Sequence, residues 1–150
     1  MTHREKAIEY FRAGYNCAQS VFAAFCDVTG YSEEQALLIS SSFGGGMGRM
    51  RETCGAVSAM FMVAGALKGY TDISTDEPKK EHYTRIQKMA EEFKKDGGSI
   101  ICRDILKNPP SDPNPSPRTA EYYAKRPCAR MVMVAANILD EYIREHPVQK

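Results

Sequence analysis

The chain has 150 residues, with 20 basic and 19 acidic side chains and a formal net charge of +1. This balance gives no support to a nucleic-acid-binding protein or to attraction by an anionic membrane, because neither sign of charge dominates. Apolar residues make up 43% and charged residues 26%, which excludes a disordered or fibrous chain and allows one domain with a buried core.

The start of the chain and its longest apolar run bear on location. The apolar run over residues 56–67 is too short to span a bilayer. The first ten residues, MTHREKAIEY, lack the apolar segment of a signal peptide. We therefore expect a cytoplasmic protein that does not insert into a membrane.

The sequence before residue 31 predicts two helices. Residues 2–13 carry apolar side chains at helical spacing, and Gly14 ends the pattern. Asn16 is a candidate N-cap for a second helix, which begins at Cys17 and ends near Gly30. The first cysteine of the chain is thereby placed in a first helical turn.

A third helix leads into a glycine-rich loop. Ser32 starts this helix with a capping-box pattern, and the loop that follows reads FGGGMGR over residues 43–49. Backbone amides in such a loop can cradle a phosphate or another anion. The spacing matches neither the Walker P-loop nor the dinucleotide-binding fingerprint. A small-molecule or anion site remains one alternative, with these candidate residues: Gly44, Gly45, Gly46 and Arg49.

The helix after the loop is predicted to be the centre of the fold. Thr53 is a candidate N-cap, which places Cys54 at the first helical position, where the helix dipole is expected to lower its pKa. The helix over about 54–68 is apolar almost all round, as is typical of the central helix of a bundle. It needs cover on every side, and a homodimer partner is one source of that cover.

The second half of the chain predicts two more long helices and a proline-rich loop. A charged helix runs over about 76–95, and a short segment over 99–107 carries Cys102. Residues 108–119 contain five prolines and are predicted to form a surface loop. The last helix begins at Pro127, a favoured first-turn residue.

The predicted fold class is all-α, because no stretch alternates convincingly with period two. We expect a single helical domain over residues 1–150, built as a bundle of about six helices around the helix at about 54–68. The glycine-rich loop and the proline-rich loop connect these helices.

Four of the five cysteines fall at predicted helix starts, where free amides and the helix dipole favour a negative sulfur. They are Cys17, Cys54, Cys102 and Cys128, whereas Cys26 lies late in the second helix. If these helix ends converge, four thiolates suit an iron–sulfur cluster or another metal such as zinc. Without a cofactor, they equally suit redox-active dithiols. A zinc-stapled structural or interaction module and buried, inert cysteines are the alternatives.

The order of these motifs resembles the C_GCAxxG_C_C family of prokaryotic proteins, to which a redox activity is ascribed. The resemblance covers nearly the whole chain and rests on NCAQ (16–19), FGGGMGR (43–49), ETCGAVSA (52–59), CRDIL (102–106) and the late Cys128.

By position, the four family cysteines are the same four that the helix starts select. The resemblance implies a cytoplasmic redox or electron-transfer role, with an iron–sulfur cluster as one option and an unidentified redox partner protein. One departure is Ala59, where the family pattern usually has glycine, so helix packing at this position is expected to differ slightly.

Overall fold

The structure, a computed structural model, describes residues 1–147, so the last three residues of the expected domain lie outside it. The helices in chain order are α1 (His3–Arg12), α2 (Cys17–Ala24), α3 (Cys26–Thr29), α4 (Glu33–Ser40), a 3-10 helix (Ser41–Phe43), α5 (Gly55–Lys68), α6 (Glu77–Gly97), α7 (Cys102–Ile105), α8 (Ala120–Lys125) and α9 (Cys128–Glu145). Within this range there is no strand, only an isolated bridge between Thr53 and Ile101. The predicted all-α class is confirmed.

Local capping signals fix the starts of several helices. At the start of α2, Asn16 accepts a hydrogen bond from the amide of Gln19, whose side chain accepts one from the Asn16 amide in return. The start of α4 is closed in the same way by Ser32 and Gln35. Such reciprocal bonds satisfy amides that have no partner within the helix. These two starts therefore follow directly from the sequence.

The apolar helix α5 lies at the centre of the bundle. It packs against α2, α9 and α6, and its side chains Val57, Met60 and Val63 are fully buried. Ala59, which departs from the family pattern, is fully buried as well. Neighbouring helices of the same chain thus cover most of α5, and the homodimer stays a prediction.

The helix pattern differs from the prediction at two places. The predicted second helix is broken at Phe25, whose fully buried ring stacks on His3 at 4.1 Å between ring centroids, and a separate short helix follows. The helix α8 was not predicted; the hydroxyl of Thr119 caps it by accepting from the amide of Tyr122 at 3.1 Å. Two helices are therefore present beyond those predicted: α3, because tertiary packing at Phe25 breaks the second helix, and α8, because Thr119 caps it.

The start of α5 also differs from the prediction by one residue. Thr53 does not act as an N-cap, because it pairs with Ile101 in the isolated bridge, and Cys54 takes the N-cap position instead. The amide of Cys54 donates to the carbonyl of Ile100 at 2.7 Å, and the amide of Cys102 donates to the carbonyl of Glu52 at 2.6 Å. A contact distant in sequence thus overrides a local propensity.

No described helix combines the length and the apolar character that crossing a membrane requires.

Candidate functional site

A cavity of about 340 Å³ opens where several helix starts meet. All four cysteines selected from the sequence line it: Cys17, Cys54, Cys102 and Cys128. The described residues around the cavity do not include Cys26, which begins the short helix α3 and is partly exposed. Cys26 was expected late in the second helix; it too starts a helix, but it lies apart from the other four.

Each cysteine of the site is held at the start of a helix. Cys17, Cys102 and Cys128 are the first residues of α2, α7 and α9, and Cys54 is the N-cap of α5. The bridge between Thr53 and Ile101 keeps the starts of α5 and α7 side by side. The convergence that the sequence left conditional is therefore present in the structure.

Two glycines of the glycine-rich loop allow the loop to approach the cysteine helices closely. A β-carbon on Gly44 would lie 2.3 Å from the side chain of Asn16, the cap that precedes Cys17. A β-carbon on Gly46 would lie 2.6 Å from the β-carbon of Cys102, and Gly46 also has a φ of +72°. These contacts give the glycines a packing role at the site. Their predicted role in binding a cofactor stays a prediction.

The closest thiol relationship joins Cys17 and Cys128. The neighbouring Cys17 thiol is the main cause that lowers the pKa of Cys128 to about 7, because it stabilises the Cys128 thiolate. Burial opposes this shift, and the guanidinium groups of Arg126, Arg118 and Arg51 assist it. The neighbouring Cys128 in turn raises the pKa of Cys17, since losing its proton would leave two negative sulfurs next to each other. Cys128 is therefore the thiol of the pair that ionises more readily, and Cys17 is the one that keeps its proton.

The other two thiols behave differently from the expectation. Burial raises the pKa of Cys54 to about 12, although the amides of Ala56 and Val57 at the start of α5 act in the opposite direction. Burial also raises the pKa of Cys102, despite the nearby Arg51. The prediction that a helix start lowers the pKa of Cys54 was therefore wrong, because the cost of charging a buried sulfur exceeds the effect of the amides.

Arg49, at the end of the glycine-rich loop, and Arg51, two residues further on, have different roles. Arg51 is 4% exposed; its Nε donates to the carbonyl of Pro110 at 2.9 Å, and its Nη1 lies 3.6 Å from Sγ of Cys102. Arg49 instead reaches the proline-rich loop, where it donates to the carbonyl of Asp112 at 2.6 Å and to Oγ of Ser116 at 2.8 Å. Arg51 is therefore the cation next to the Cys102 thiol. Arg49 instead holds the proline-rich loop, which forms part of the cavity wall.

Residues at the end of the proline-rich loop and just beyond it complete the site, and none of them was among the predicted site residues. Arg118 stacks over the ring of Tyr122, with 4.9 Å between its guanidinium carbon and the ring centroid, and Arg126 lies over the same ring at 5.2 Å. All three residues line the cavity. The available signal was the run of basic and aromatic residues immediately before Cys128.

The spacing of the cavity thiols bears on whether they could hold a metal. In the part of the chain that the structure describes, no three His, Cys, Asp or Glu side chains are grouped closely enough to hold a metal ion. The four cysteines share a cavity but are not arranged around one point. Binding of a cluster or of zinc by all four would therefore require their side chains to move together.

The chain belongs to the family described as "Putative redox-active protein (C_GCAxxG_C_C)", which it matches over residues 15–142. This range includes the four cysteines of the cavity. Neither the curated proteins nor the solved structures include a match to this chain. Family membership therefore indicates a redox-active class of protein. A more specific function has to be inferred from the geometry of the cavity.

Proposed function

We propose that the protein is a thiol–disulfide redox protein in which Cys128 attacks a substrate disulfide and Cys17 resolves the product. The opposite pKa shifts of these two cavity thiols carry the proposal, because they pair a nucleophilic sulfur with a neighbouring thiol that keeps its proton. A thiol with a pKa near ambient pH is the most effective attacking group in such exchange. The three arginines facing Cys128 stabilise its thiolate.

The proposed reaction has two steps. The Cys128 thiolate attacks one sulfur of a substrate disulfide, so a mixed disulfide forms and the first substrate thiolate leaves and takes a proton from solvent. Cys17 then loses its proton and attacks the Cys128 sulfur, which releases the second substrate thiolate. The products are a Cys17–Cys128 disulfide and two substrate thiols. Two electrons pass from the cysteine pair to the substrate, and another thiol must restore the pair.

The two remaining cavity thiols fit a slower second pair. The pKa values of Cys54 and Cys102 are raised by burial, so few of these thiols are ionised near neutral pH. The redox partner is a protein or a small disulfide in the cytoplasm, where thiols are kept reduced. A homodimer is compatible with this proposal, but the chemistry described does not require one.

A metal-binding role is the second candidate, and the shared cavity of the four cysteines favours it. Four thiolates would hold an iron–sulfur cluster, which supplies electron transfer, or a zinc ion, which supplies structural closure without redox chemistry. In either case Cys17, Cys54, Cys102 and Cys128 would be the ligands, and Arg51 would offset part of their negative charge.

The test uses protein purified without oxygen and begins with iron, sulfide and zinc analysis. Metal-free protein is then equilibrated with mixtures of reduced and oxidised dithiothreitol, and its free thiols are counted. We expect two thiols per chain to be lost in one transition, and neither Cys17→Ala nor Cys128→Ala protein to show it. Cys26→Ala is the matched control and should retain the transition. Stoichiometric iron with sulfide, or stoichiometric zinc, lost in the Cys54→Ala variant would favour the metal candidate instead.

A further inference from the structure

One buried charged group in the cavity wall lacks a partner. Arg51 is 4% exposed, and its Nη2 atom makes no hydrogen bond to any described residue, although Nε and Nη1 of the same group have partners. A buried donor without a partner costs free energy, and more so when it carries charge. The thiol chemistry proposed above needs the positive charge near Cys128, but it leaves this donor unused.

The charged side chains of the cavity wall are all positive. Arg49, Arg51, Arg118 and Arg126 all line the cavity, and no Asp or Glu is found among the described lining residues. The carboxylate of Asp112, which pairs with Arg49 at 3.3 Å, belongs to the covering loop and leaves the other three arginines without an acidic partner at this site. The cavity therefore carries an excess of positive charge that one Cys128 thiolate does not balance.

We propose that the cavity binds an oxyanion, a carboxylate or a phosphate, with Arg51 as its principal ligand and Arg126 as a second cation. The volume of about 340 Å³ lies at the lower end of the range for small-molecule pockets, so the ligand is a small acid rather than a protein segment. A planar guanidinium is well suited to such oxygens. If the proposed redox function holds, this anion is part of the substrate, and the substrate class is an acidic disulfide of low molecular weight.

The experiment compares two alkylating reagents that differ mainly in charge, iodoacetate and iodoacetamide, on the reduced full-length protein. With each reagent the Cys128 thiolate displaces iodide, so a sulfur–carbon bond forms as the carbon–iodine bond breaks. The rate at Cys128 is followed by mass spectrometry of the peptide that contains it. The ratio of the two rates is the quantity of interest, because any change in the ionised fraction of Cys128 affects both rates equally.

We expect Arg51→Gln to lower the ratio of the iodoacetate rate to the iodoacetamide rate by about tenfold, since a charge-assisted hydrogen bond is lost. Arg126→Gln changes a less buried residue and should lower the ratio in the same direction, which keeps the test decisive if the Arg51 variant fails to fold. The matched control is Arg130→Gln, because Arg130 lies on α9 close to Cys128 but pairs with Asp96 and does not line the cavity. Its ratio should equal that of the unmodified protein.

Two inert anions then identify the source of the oxyanion. Acetate and inorganic phosphate are added separately as protectants of Cys128 against iodoacetamide. Protection by acetate assigns a carboxylate, protection by phosphate assigns a phosphate group, and either should weaken in the Arg51 or Arg126 variant. Equal ratios in all variants, with no protection by either anion, would overturn the anion site. This result would leave the Cys17–Cys128 exchange untouched, and a failure of that exchange would likewise leave the anion binding measurable.

Discussion

Cys17, at the start of α2, lines the same cavity as Cys128, at the start of α9, and each thiol shifts the pKa of the other. The two residues are far apart in the sequence, and the packing of α2 against α9 brings them together. This pairing separates their acidities, since it lowers the pKa of Cys128 and raises that of Cys17. In the proposed exchange, this difference makes Cys128 the attacking thiol and Cys17 the resolving thiol.

The first prediction concerns the pH dependence of alkylation at Cys128. A lowered pKa means that this thiol is ionised above pH 7, so its reaction with iodoacetamide should be fast at pH 8. Below pH 7 the rate should fall by about tenfold for each pH unit as the thiolate is protonated. Cys54, with its pKa raised to about 12, should stay unreactive throughout this range. A midpoint for Cys128 at the ordinary pKa of a cysteine would contradict the site as described.

The second prediction is that Cys17→Ala moves the midpoint for Cys128 upward. The variant removes the thiol that contributes most to the lowered pKa of Cys128, an effect worth about 1 to 2 pH units. Cys26→Ala is the control, because it removes a thiol that lies apart from the cavity. The same mass-spectrometric rate measurement applies to both proteins. An unchanged midpoint in the Cys17 variant would show that the arginines alone set the acidity of Cys128.

Much of the site was predictable because its signals are local. Asn16 and Pro127 mark helix starts in the sequence, and each places the following cysteine at the first position of its helix. The glycine-rich loop beside Cys54 was likewise visible as a break between two helical patterns. Helix starts are set by short-range hydrogen bonds, which a single sequence displays.

The acidities of the thiols and the full set of arginines were not predictable. The pKa of Cys54 depends on burial by helices from distant parts of the chain, and burial is not a local property. Arg118 and Arg126 line the cavity because the chain passes along it between the proline-rich loop and α9. The amino-acid composition of this segment does not determine that path. The break at Phe25 has a similar cause, since the ring is buried by tertiary packing. These features all require the assembled fold.

The third prediction compares two glycine substitutions. Gly46 and Gly30 both have positive φ, so an alanine at either position costs about 1 to 2 kcal/mol of backbone strain. A β-carbon at Gly30 meets nothing within 4 Å, whereas one at Gly46 collides with Cys102 and with the backbone of Arg51. We therefore expect Gly46→Ala to lower the free energy of unfolding by about 1 to 3 kcal/mol more than Gly30→Ala. Urea denaturation measures this difference, and equal losses would argue against the close contact.

The fourth prediction concerns the attachment of the proline-rich loop. Arg49 holds this loop through Asp112 and Ser116, so Arg49→Ala should loosen it. Hydrogen exchange in the peptide over residues 108–119 should become several-fold faster, while exchange in α5 should stay the same. Arg130→Ala removes an exposed ion pair elsewhere and serves as the control. Unchanged exchange in the Arg49 variant would mean that other contacts suffice to hold the loop.

The most direct test of the proposed function is to identify which cysteines become joined when the metal-free protein is oxidised. The reduced protein is treated with a small disulfide, its remaining thiols are blocked, and the cross-linked peptides are identified by mass spectrometry. The account predicts that a Cys17–Cys128 disulfide forms first, ahead of any bond that involves Cys54 or Cys102. If the first disulfide joins another pair, or if Cys17 and Cys128 remain free thiols, the proposed division of roles between them is wrong.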